Sequence, residues 1–143
     1  MTEQSLRVVV DTNVLLSFLM SCHSKPALCV THVLKQHHLI ISDATLQELA
    51  DKCSRVKFRP YFSEIEGQEL IHLLKQVAEI VVVNVVITDC RDVKDNKFLE
   101  LIVAGLADLL ITGDKDLLIL HPYRGIPILS PHDAMLWFGI QSG

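Results

Sequence analysis

Acidic residues recur at three separated places along the chain. Asp11 stands in VVVDTN, Asp92 and Asp95 in RDVKDNKFLE, and Asp114 and Asp116 in LLITGDKDLL. The first and third places directly follow short aliphatic runs, residues 6–10 and 109–112, that have the look of buried strands. Carboxylates gathered at strand ends are costly unless a cation neutralises them. A hard divalent ion does this with oxygen ligands alone, so metal-dependent phosphodiester chemistry is the leading reading.

Each acid also has a bland reading. Asp11 could cap the helix that follows it, although Thr12 and Asn13 already offer capping oxygens. Asp95 lies near the apolar stripe of Phe98, Leu99 and Ile102, whereas Asp92 suits a cap and stays a secondary contributor. Asp114 follows Thr112 and Gly113 at a turn, and Asp116, two residues on, could reach the same metal edge. Glu48 has Lys52 four residues on, the spacing of a solvated ion pair, and from spacing alone that pairing is the stronger reading. Lys52, Arg55, Lys57 and Arg59 make the densest basic stretch. A solvated face explains it, or Lys52, Arg55 and Lys57 hold a phosphate backbone together with Lys94, Lys97 and Lys115. The seven His residues show no ligand spacing.

The elements that must position these groups alternate. Strands are expected at 6–10, 39–41, 80–83, 109–112 and 126–129. Helices are expected from 12 to about 20, 26–36, 43 to Pro60, 64–77, 94–106, 114–118 and from 131 onward. In the third helix Leu46, Leu49, Ala50, Cys53 and Val56 share one face. Such alternation implies right-handed crossovers and a mainly parallel sheet covered on both faces, with ligands beyond the carboxyl ends of its strands.

The chain's 143 residues, half of them hydrophobic and 21% charged, suit one α/β domain spanning 1–143 and exclude disorder. A formal charge of -4 argues against a general nucleic-acid coat protein, but not against an enzyme that contacts phosphates locally. Cys22, Cys29, Cys53 and Cys90 form no CxxC pair and read as reduced, buried thiols of a cytoplasmic protein. No apolar run is long enough for a membrane span.

Together these segments resemble a PIN domain, in particular the bacterial PIN-type toxin components of toxin–antitoxin pairs. The resemblance runs from about residue 7 to 137 and is carried by VVVDTNVLLS (8–17), DVKDNKFLELIVAGLADLLITGDKDLL (92–118) and IPILSPHDA (126–134). It implies a three-layer α/β/α sandwich with an acidic pocket for Mg²⁺ or Mn²⁺, and endonucleolytic cleavage of single-stranded RNA. Carried over by motif, the catalytic acids are Asp11, Glu48, Asp95 and Asp114, with Asp116 as a further member and Asn13 and Thr112 in support. SDATLQELADK, matching the family's second acidic segment, lifts Glu48 above its ion-pair reading. A small antitoxin protein blocking the pocket, and a homodimer using apolar helices such as 64–77, are the implied partners. Two other classes compete: a non-catalytic PIN module binding RNA or protein, and an aspartyl-phosphate phosphotransfer enzyme. The latter usually shows DxD after the first strand, where this chain has DTN.

Overall fold

The computed structural model describes residues 4–140. Strand β1 (Arg7–Val10) leads at once into helix α1 (Thr12–Met20). Helix α2 (Lys25–Gln36) is capped by Ser24 with Pro26 in its first turn, and β2 (His38–Ile41) follows. Ser42 and Thr45 close a capping box on α3 (Asp43–Cys53), as Ser63 and Glu66 do on α4 (Glu64–Val77). Then come β3 (Glu79–Ile80), a 3-10 turn (Val93–Asp95), α5 (Asn96–Ala104), β4 (Leu109–Ile111), α6 (Lys115–Leu118), β5 (Ile128–Leu129) and α7 (Pro131–Phe138).

The five strands form one parallel sheet in the order β3-β2-β1-β4-β5. Side chains alternate across it. Val8, Val10, Leu39, Ile41, Leu109 and Ile111 pack with α1, α2, α3, α4 and α7, whereas Val9, Ile40, Leu110 and Ile128 pack with α5 and α6. That division, set by the two-residue period of a strand, makes the three-layer α/β/α sandwich. From β1 the chain moves first to β2 on one side and later to β4 on the other. The carboxyl ends of β1 and β4 therefore border the crevice where such sheets take ligands.

The amino ends are tied by charge instead. Arg7 grips Glu79 with two hydrogen bonds of 3.1 and 3.0 Å and donates to the Gly105 carbonyl, while His38 stands 2.9 Å from Glu79. Gly105 leaves room for its own neighbours, since a Cβ there would lie 2.6 Å from Ile40 Cδ1 and 2.8 Å from the Leu101 carbonyl oxygen.

Four expectations are corrected. The strand expected at 80–83 pairs only at Glu79 and Ile80, with Val81 adding one bond to Ile41. β2 ends there because Ser42 turns the chain into α3, so residues farther along β3 have no partner. Helix α3 stops at Cys53, short of Pro60. The Arg59 guanidinium takes the Cys53 carbonyl at that end, and Val56 is 82% exposed on a separate 3-10 turn (Val56–Phe58), off the apolar face. The helix expected at 94–106 is shorter, because a 3-10 turn precedes it and Gly105 ends it. Cys22 is exposed while the other three thiols are buried. Among the described residues no single helix is long and apolar enough to cross a membrane.

Candidate active site

Three aspartates occupy three helix starts at the carboxyl edge of the sheet. Asp11 precedes α1, Asp95 precedes α5, and Asp114 precedes α6. Asp11 Oδ1 accepts the Asn13 N–H at 3.1 Å, and Asp114 Oδ1 accepts the Asp116 N–H at 2.8 Å. Thr12 and Asn13, expected as alternative caps, are instead the first helical residues. Capping and cleft-facing roles thus coincide at Asp11, because a strand that runs straight into a helix makes its last residue the cap.

Asp95 behaves differently. It makes no capping bond, is 6% exposed, and its Oδ2 is buried without a hydrogen-bond partner. Burial pushes its carboxyl up to about 7, and the facing Asp114 carboxylate and the charges of Asp92 and Asp11 add to the rise.

Thr112 links the other two aspartates. Its hydroxyl, fully buried, donates to Asp11 Oδ2 at 2.6 Å and accepts the Asp114 N–H at 3.0 Å. The Asp11 carboxylate and the Asp114 backbone thereby inherit the register of the β1–β4 pair, in which Asp11 N–H also donates to the Ile111 carbonyl at 2.9 Å.

Glu48 reaches the same cleft from α3 in other company. Its Oε1 accepts from Lys97 Nζ at 2.8 Å, its Oε2 accepts from the Thr12 hydroxyl at 2.5 Å, and Lys52 Nζ lies 3.6 Å from Oε2. Lys52 also donates to Thr12 Oγ1 at 2.8 Å and Asn13 Oδ1 at 3.0 Å. Burial pushes Glu48 up, but the bonds from Lys97 and Thr12 and the charge of Lys52 outweigh it, holding the carboxyl below its ordinary value. The i,i+4 pair read as solvated is enclosed, with side-chain exposures of 15% for Lys52 and 14% for Glu48.

These groups share a cleft of about 190 Å³ lined by Asp11, Asn13, Glu48, Asp95 and Asp114 on its acidic side. Lys52, Arg55, Lys94 and Asp92 complete the lining. Asp92 caps the 3-10 turn through Lys94 N–H and pairs loosely with Lys94 Nζ at 3.9 Å. Asp116, Lys57, Lys97 and Lys115 do not line the cleft, and Lys97 is spent on Glu48. Asp116 gives Asp114 its backbone N–H, Lys57 Nζ stands 5.1 Å over the Phe58 ring, and Lys115 is exposed on α6. Sequence reasoning missed Thr12 as the hub joining Glu48, Lys52 and Asp11, and missed Lys97 as Glu48's partner. The only signal for either was the helical phase that turns Lys97 toward α3.

Residues 7–116 match the sequence model of the PIN domain. The chain belongs to the PIN domain family. Its sequence is 31% identical over 123 residues to the uncharacterized protein MJ1680 of Methanocaldococcus jannaschii, covering 85% of this chain and 79% of that protein. Two solved structures share the PIN fold at low identity. PAE2754 from Pyrobaculum aerophilum superposes with a TM-score of 0.62 at 11% identity, covering 95% of this chain and 91% of that one. VapBC2 from Rickettsia felis, solved bound to a DNA fragment from its promoter, gives 0.59 at 14% identity, covering 87% and 98%.

A divalent ion suits what this PIN domain presents. The donors are all oxygen, and Asp95, whose Oδ2 is orphaned, feels the charges of Asp114, Asp92 and Asp11. Among the described residues no three His, Cys, Asp or Glu side chains stand converged as a complete ligand set. Mg²⁺ needs no such set, since it keeps several waters and takes one or two carboxylates directly.

Proposed function

We propose that this PIN domain is a divalent-metal-dependent endoribonuclease that hydrolyses phosphodiester bonds of single-stranded RNA, and that it is the toxin of a toxin–antitoxin pair. The observation that carries the reading is Asp95 Oδ2, a buried carboxylate oxygen without a partner in a cleft it shares with Asp11 and Asp114. A carboxylate is seldom left in that state unless a cation or a proton completes it.

Asp11, Asp95 and Asp114 would hold the ion, either directly or through water. Mg²⁺ or Mn²⁺ bound there supplies Lewis-acid activation of the attacking water and neutralises charge developing on the phosphoryl oxygens. Thr112 and the α1 and α6 amides fix the rotamers of Asp11 and Asp114, so two of the three acids are oriented before the ion arrives. Lys52, Arg55 and Lys94 line the other side of the cleft and offer cationic contacts to the backbone phosphates.

A small antitoxin protein that covers the cleft, a homodimer and a cytoplasmic setting extend the same reading, supported by the resemblance to toxin–antitoxin PIN proteins and the shared fold of VapBC2. The test is turnover. End-labelled single-stranded RNA is cut when Mn²⁺ or Mg²⁺ is supplied and is left whole in EDTA; retention of uncut RNA with metal present contradicts the reading.

A further inference from the structure

The acids of the cleft are not equivalent in what already satisfies them. Both oxygens of Glu48 are occupied, Oε1 by Lys97 at 2.8 Å and Oε2 by Thr12 at 2.5 Å, with Lys52 3.6 Å away. Asp95 Oδ2 has nothing. Two lysines against one carboxylate leave the Glu48 side of the cleft with an excess of positive charge, while among the described residues no lysine or arginine is bonded to Asp11, Asp95 or Asp114. The ammonium groups are also held in place. Lys97 comes from α5 and Lys52 from α3, and Lys52 is anchored on two residues of α1, so three helices fix the cluster.

We infer that this chain's cleft takes a single divalent ion, on Asp11, Asp95 and Asp114, and that Lys97 and Lys52 fill the charge-compensating role of a second ion at Glu48. This deepens the metal-nuclease reading above and rests on it. For Glu48 to ligate an ion it must release a charge-assisted bond from Lys97 and a short bond from Thr12. Doing so would strand two ammonium groups, each largely enclosed, beside a dication. A displaced Lys97 would give up its 2.8 Å bond to Glu48, and Lys52 would keep only the neutral oxygens of Thr12 and Asn13. Glu48 is thereby a positioning residue, keeping Lys52 at the cleft wall and the Thr12 hydroxyl turned toward α3.

The experiment counts ions on the full chain by Mn²⁺ titration with electron paramagnetic resonance detection of the free ion, without RNA. Wild type, Asp95→Asn and the charge-balanced double variant Glu48→Gln/Lys97→Met are compared, each first shown to be folded by circular dichroism and a cooperative melt. One ion per chain is expected in wild type. The double variant keeps it with a Kd raised by less than about tenfold, the lower edge of what outer-sphere partners cost, and Asp95→Asn weakens it by more than about 100-fold. Two ions in wild type overturn the inference, as does loss of the ion in the folded double variant. Absence of any bound ion overturns it together with the metal-dependent reading, and RNA cutting in EDTA then separates a metal-free nuclease from no nuclease at all. A single ion without RNA cutting leaves the inference standing and removes only the proposed substrate.

Discussion

The Thr112 hydroxyl donates a 2.6 Å hydrogen bond to Asp11 Oδ2 across the β1–β4 pair, joining residues 101 positions apart in the chain. The same oxygen accepts the Asp114 N–H at 3.0 Å, so one buried hydroxyl ties the Asp11 carboxylate to the Asp114 backbone. Thr112→Val keeps the volume and removes both bonds. The expected cost is about 1–3 kcal/mol from the polar groups left unpaired. A melt should show Tm lower by at least about 3 °C, given about 3 °C per kcal/mol in a domain of this size. RNA cleavage should fall about 10–100-fold, as when an outer-sphere partner is removed. Thr112→Ser, which keeps the hydroxyl, should recover most of both. A valine variant as active as wild type removes Thr112 from the site.

Asp95 makes the metal-free protein sensitive to pH. Its folded value of about 7 stands above the ordinary 3.8, so between those values the folded state holds a proton that the unfolded chain has released. The sign follows: stability is greatest below the lower value and is lost as pH rises through the upper one. Glu48 and Glu79 are both shifted below 4.5, so their contributions stay constant from about pH 5 to about pH 7.5. In EDTA, Tm should therefore fall across that interval in wild type and stay flatter in Asp95→Asn. Excess Mn²⁺ at the upper pH should raise wild-type Tm, corresponding to about 2–4 kcal/mol when the ion greatly exceeds its Kd. A pH-independent wild-type melt counts against the crowding of Asp95 with Asp114.

The basic wall should act on affinity without choosing sequence. Arg55 and Lys94 line the cleft, and among the described residues their ion pairing is limited to a loose contact of Lys94 with Asp92 at 3.9 Å. Arg55→Ala and Lys94→Ala should each weaken binding of uncut single-stranded RNA in EDTA. Each should also flatten the plot of log affinity against log salt by about 0.7, the value for one phosphate contact on a single strand. Lys57→Ala and Lys115→Ala, away from the cleft, should leave the slope unchanged. Equal effects from all four would make the contacts diffuse rather than local to the cleft.

Much of this arrangement was legible in the chain. Asp11 and Asp114 stand out because each ends an aliphatic strand, and strand ends in a parallel sheet point to one edge wherever the strands lie in sequence. Asp95 stands out by its phase relative to Phe98, Leu99 and Ile102, and it is buried. Glu48 did not stand out from spacing. Lys52 four residues on gives an ordinary pairing, and only packing against α1 and α5 encloses it and adds Lys97. Lys57 and Lys115 were carried along by composition, which cannot say on which side of a turn a lysine falls. The short β3 was overread for a related reason. Residues 80–83 have strand-like side chains, but pairing depends on where β2 stops, and a cap at Ser42 decides that.

The most direct measurement compares cleavage of 5′-labelled single-stranded RNA by wild type, Asp11→Asn and Asp95→Asn in Mn²⁺, Mg²⁺ and EDTA, with folding of each protein checked by its melt. The expected result is metal-dependent cutting by wild type that falls by about 100-fold or more in both folded variants, the scale of losing a group that stabilises the transition state. Cutting that persists in Asp95→Asn, or in EDTA, contradicts the account.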